Sequence, residues 1–142
     1  MKKQAGSQTL EFAMIALPFL ILILAIFELT RFLWVNMVFD SAVNHAVRVA
    51  RVMEPSYIAD QAFKAKIGEY PLIDAAKLEV TQPIYAKTIS DLANTHYTSS
   101  SQAQLGQYTV TYSFAFLLVP KLSEHFVKLV SLERTVVVAY DS

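Results

Sequence analysis

The sequence predicts an α+β fold, a long N-terminal helix laid on a small antiparallel sheet of about three strands. Three observations carry this expectation. Phe12 to Phe27 reads FAMIALPFLILILAIF, without a charge or a strongly polar side chain. Val35, Phe39, Ala42, Ala46, Val49 and Met53 then recur at spacings of four and three, an apolar stripe along one helical face. Further on, Tyr108, Val110, Tyr112, Phe114 and Phe116 alternate strictly with Thr109, Thr111, Ser113 and Ala115, the period of a half-buried strand.

The first helix is expected over residues 7–53, about 70 Å of rod. No Gly or Pro interrupts residues 19–54, and Glu54-Pro55 supplies a stop. Pro18 is expected to kink the rod or loosen one turn. Leu10 and Leu29 extend the apolar run, giving a membrane span over about residues 10–29 with Glu11 and Glu28 just inside its ends. Lys2 and Lys3 precede the run and only Arg31 follows closely, which favours a cytoplasmic N-terminus and an extracytoplasmic domain over residues 54–142. A cleaved secretory signal needs a small-x-small site, and Glu28-Leu-Thr-Arg-Phe-Leu-Trp34 offers none. A soluble core helix is rarely this apolar all round.

A second helix is expected from Pro55 to Ile67, with Ile58, Ala62, Phe63 and Ile67 as its apolar set and Gly68 after it. Strands are expected at Lys77–Gln82, with Leu78 and Val80 on one face, at Gln107–Phe116, and at Leu132–Tyr140, which is rich in Val and Thr. Asn94 to Gln104 reads as an exposed polar loop, and Pro120 to Val130 as a short amphipathic helix or turn.

Composition narrows function. Twelve basic residues balance twelve acidic ones, so no global field draws the chain to nucleic acid. Without cysteine there is no disulfide, thiolate metal site or thiol nucleophile. His45, His96 and His125 lie outside any metal-binding spacing and read as surface residues. The Ser99-Ser100-Ser101 run reads as a solvated loop, since no base is placed by sequence to activate it. With three glycines, the chain carries neither a phosphate-cradling loop nor a GxSxG elbow. Neither enzymatic activity nor a cofactor is expected. Two carboxylates stand out. Glu11 is either an interfacial carboxylate supporting a helix start or a charge meant for a partner on another subunit. Glu28 and Arg31 share a helical face, either as an outer-interface salt bridge or as a contact between subunits.

Gly6-Ser-Gln-Thr-Leu-Glu11-Phe12 ahead of an apolar helix resembles the processing site of type IV-like prepilins. The block that continues through Phe27-Glu28-Leu-Thr-Arg31-Phe32-Leu33-Trp34 to Ala46-Val-Arg48-Val-Ala50-Arg51-Val52 resembles TadE-like proteins, minor pilins or pseudopilins of the tight-adherence (Flp) pilus system. TadF-like proteins, a sister group of minor pilins, are not separated from them by this pattern. The major Flp pilin is less similar, with Glu-Tyr in place of Glu11-Phe12 and no sheet domain.

The resemblance implies a leader of residues 1–6, cut between Gly6 and Ser7 by a prepilin peptidase. It places Glu11 at the fifth mature position, where the family's glutamate pairs with the new amine of a neighbouring subunit. It also implies a single-pass protein of the cytoplasmic membrane that passes into the pilus or supports it. The lipid bilayer, other minor and major pilins and an inner-membrane assembly platform are the implied partners. The alternatives are an accessory domain of a secretion complex that never enters a filament, and a tethered extracytoplasmic enzyme.

Overall fold

The stretch from the polar N-terminal residues to the last arginine of the amphipathic half closes into one rod. In the computed structural model, which describes residues 4–118 and 130–141, helix α1 spans Gln4–Arg51. Its 48 residues extend about 72 Å. Pro18 sits inside α1 without ending it. Arg48 and Arg51 occupy the last turn, where positive charge offsets the helix dipole. The helix is long and apolar enough to cross a membrane. Every Leu, Ile, Met and Phe from Leu10 to Phe27 is exposed, so among the described residues no other element covers the apolar side chains of this half.

Beyond residue 34 the same helix changes character. Val35, Phe39, Ala42 and Ala46 are buried as the stripe predicts, with Val43 and Ala50 beside them. Val49 and Met53 are only half-buried. The buried face follows the helical period of 3.6 residues, so it drifts off a strict four-three stripe within a few turns.

Helix α2, Tyr57–Gly68, starts two residues later than expected. Ser56 is its N-cap, its side chain accepting from the Ala59 amide, and Pro55 lies outside. Ala59, Phe63 and Ile67 form the buried set, so two of the four expected positions change. Ile58 is exposed and Ala62 half-buried, because the buried face runs through Ala59, Phe63 and Ile67 at spacings of four.

The three expected strands are present, and a fourth joins them. β1 is Leu78–Val80, β2 is Ile84–Ala86, β3 is Leu105–Ser113 and β4 is Ser131–Ala139. All pairing is antiparallel. β4 pairs along the whole of β3, from Leu105↔Ala139 to Ser113↔Ser131. β1 and β2 therefore share the opposite edge, at Val80↔Val110 and Ile84↔Gln107. Between these pairs β1–β2 advances four residues while β3 advances three, a bulge with one extra residue. Pro83 lies in that break, where it has no N–H to give the ladder. A short helix α3, Ile89–Ala93, capped by Thr88, follows β2. The expected polar loop over residues 94–104 is mostly exposed and holds one 3-10 turn at Ser100–Gln102. The element expected from Pro120 to Val130 lies, apart from Val130, outside the described residues.

α1 and α2 cover one face of the sheet. Phe39 meets Tyr112 at 5.9 Å between ring centroids and Phe32 meets Phe114 edge-on at 5.2 Å. Tyr108 stacks on Phe63 of α2, at 4.5 Å and 21°. β3 and the residue that follows it thus carry both helices. At the rim, Arg134 of β4 bridges to α1, with Nε 2.6 Å from Asp40 Oδ1 and Nη2 3.0 Å from Asn36 Oδ1. Arg134 and Asp40 are both well exposed, so the clamp adds at most about 1 kcal/mol.

Candidate functional site

Gly6 and Ser7 fall in the opening turns of α1. Glu11 and Phe12 follow within about 9 Å along the axis, and both are exposed. This end of the rod places Gly6, Ser7, a carboxylate and an aromatic ring on one continuous helix.

At the other end of the apolar run the chain builds a tighter arrangement. Glu28 is the one buried charged side chain among the described residues, 6% exposed. Its Oε1 accepts from the backbone amides of Leu117 and Leu118, each at 2.8 Å. Its Oε2 lies 3.2 Å from Arg31 Nη2. Arg31 in turn donates to the Ala115 carbonyl, and its guanidinium sits 4.3 Å from the centroid of the Phe114 ring. Two amides and a guanidinium supply the charge-assisted hydrogen bonds that a buried carboxylate needs. Both oxygens of Glu28 are thus engaged within the chain. The pair fixes the corner that leaves β3 against the outer end of the apolar segment.

A second polar cluster lies in the core. Asp60, in the first turn of α2, accepts from Tyr108 Oη at 2.7 Å and from Tyr85 Oη at 2.8 Å through one oxygen. Tyr108 and Tyr140 hydroxyls are 2.7 Å apart. Because Tyr108 has one proton and gives it to Asp60, Tyr140 donates to Tyr108. Gly106 makes the room, since a Cβ there would come within 2.7 Å of the Tyr140 hydroxyl. The cluster ties α2 to β2, β3 and the end of β4. Periodicity registered Tyr108 only as an apolar position. The available signal was that a buried tyrosine needs a partner for its hydroxyl.

Burial, above all, pushes Tyr85, Tyr108 and Tyr140 above the ordinary tyrosine range, and the Asp60 carboxylate adds to it for all three. A hydroxyl whose folded pKa exceeds its unfolded value gives stability that is intact below pH about 10 and fades as pH rises beyond it. The domain is therefore expected to lose stability above pH 10, by urea unfolding in detergent at stepped pH. Tyr108→Phe should flatten that loss, and an equal slope in wild type and variant would contradict the assignment.

The remaining sequence candidates do not converge. His45 is exposed, its ring 5.8 Å from that of Tyr70, and His96 is exposed in the polar loop. His125 lies outside the described residues. The Ser99 and Ser101 hydroxyls face each other at 3.2 Å in an exposed turn. Among the described residues, no three of His, Asp and Glu form a group that could hold a metal ion.

The family model described as TadE-like protein matches residues 6–48. Residues 6–48 are similar to TadE-like proteins. The TadE-like segment begins at Gly6, takes in Glu11, Glu28 and Arg31, and ends three residues before α1 does. The α2 and sheet region lies outside it. No curated protein and no solved structure matches the chain.

Proposed function

We propose that this chain is a minor pilin, or pseudopilin, that helps initiate, prime or tip a tight-adherence type IV-like pilus. A prepilin peptidase cuts it between Gly6 and Ser7 at the cytoplasmic face of the membrane. The observation that carries this reading is the Gly6-Ser7 to Glu11-Phe12 spacing within the TadE-like segment, at the head of a single helix whose apolar half is exposed all round. A helix of that kind is accommodated by lipid before assembly and by neighbouring helices within a filament. Its outer half is already satisfied by its own sheet, so the domain folds before it is delivered.

In this reading residues 10–29 span the cytoplasmic membrane with the N-terminus inside, and the α2 and sheet region is extracytoplasmic. The role is structural, not catalytic. Its partners are the peptidase, the other minor and major pilins and the inner-membrane assembly platform. Gly6→Leu should leave the uncut precursor in the membrane, because the side chain fills the space the peptidase keeps for glycine. Normal shortening of Gly6→Leu would argue for the accessory-domain alternative, in which the chain stays outside any filament.

A further inference from the structure

Leu10 to Leu29 is about 30 Å of helix, the thickness of a bilayer's hydrocarbon core. Glu28 therefore marks the outer boundary of that core. Through its two 2.8 Å hydrogen bonds it holds the backbone of Leu117 and Leu118 at the same level. Both side chains point away from the domain core, Leu117 at 68% and Leu118 at 44% exposure. Phe114 to Leu118 carries no charge. On α1, Leu24, Phe27 and Leu29 on either side of Glu28 are also exposed, so rod and corner both present apolar side chains near this level. Trp34, exposed and about 9 Å further out along α1, sits at the depth where tryptophan favours the headgroup region. Leu117 and Leu118 lie on the bilayer side of it.

We propose that the Leu117–Leu118 corner is a second membrane contact, inserted among the lipid acyl chains at the outer interface and held there by Glu28 and Arg31. This rests on the reading of residues 10–29 as a membrane span. The contact gives the domain a fixed height and rotation on the bilayer, which a single helix alone leaves free. Burying two leucine side chains opposes lifting of the domain from the surface, and the Glu28 bonds make the corner and the rod move together.

Bilayer depth can be read directly on the full chain. Trp34→Phe removes the only tryptophan, and Leu117→Trp or Leu20→Trp then adds one reporter each. The variants are placed in phosphatidylcholine vesicles with brominated acyl chains. The expected result is blue-shifted emission and strong bromine quenching at position 117, as at position 20. Leu118→Trp gives the same reading if the Leu117 variant fails to fold. Quenching at position 20 with none at 117 or 118, whether the reporter is in water or covered by protein, overturns the lipid contact and leaves the span intact. Absence of quenching at position 20 overturns the span, and the corner contact with it.

Discussion

Phe39→Ala is expected to destabilise the domain by about 3–5 kcal/mol, the ordinary cost of truncating a fully buried aromatic. Phe39 is 0% exposed and lies where the outer half of α1 meets the sheet, with Tyr112 as its ring partner. Its neighbours on the face, Ala42 and Ala46, are small, so helix and sheet approach closely and have little slack to fill the cavity. Met37, two residues away and 72% exposed, is the control, and Met37→Ala should fall within about 0.5 kcal/mol of wild type. Denaturant unfolding in detergent micelles, followed by near-ultraviolet dichroism of the tyrosines, reads both. A loss under about 1 kcal/mol for Phe39→Ala would mean that the stripe is not sealed on its own sheet and faces another subunit.

The second large effect is functional. Glu11→Gln should leave membrane levels and processing normal while pili disappear or fall sharply. In the proposed reading insertion depends on the apolar run and cleavage acts at Gly6, so neither step requires the carboxylate. Removing the leader deletes Lys2 and Lys3 and leaves a positive amine on Ser7. When that amine enters a filament's apolar interior, an opposite charge on the adjoining subunit offsets a cost of several kcal/mol. Glutamine keeps the size and removes the charge, which isolates the electrostatic part. Glu11→Asp should fall between, because the charge stays but its reach shortens. Normal piliation by Glu11→Gln, counted by electron microscopy, would reduce Glu11 to an interfacial carboxylate at a helix start.

Local physics made much of this fold readable. The rod was legible because thirty-odd residues without Gly or Pro leave helix as the regular choice, and the central strand because Tyr108, Val110 and Tyr112 keep a period of two. β2 was not legible. Ile84–Ala86 is too short to show a period, and the bulge at Pro83 separates it from β1. Helix α3 was missed for the same reason of length.

The site divides the same way. Gly6, Glu11 and Phe12 could be singled out because they are neighbours along one helix, α1, within the TadE-like segment. Glu28 was singled out by its place at the end of the apolar run, but its partners were not, since Leu117 and Leu118 lie 89 and 90 residues away. Asp60 with its tyrosines, and Arg134 with Asp40, are likewise joined across the fold. Periodicity records which face is buried and is silent on which polar atoms meet there.

Intact mass of the membrane-extracted chain, from cells with and without an active prepilin peptidase, tests the central claim most directly. The account predicts that with the peptidase the chain is shortened by residues 1–6 and begins at Ser7, whereas without it the chain begins at Met1. A chain that still begins at Met1 when the peptidase is active would contradict it.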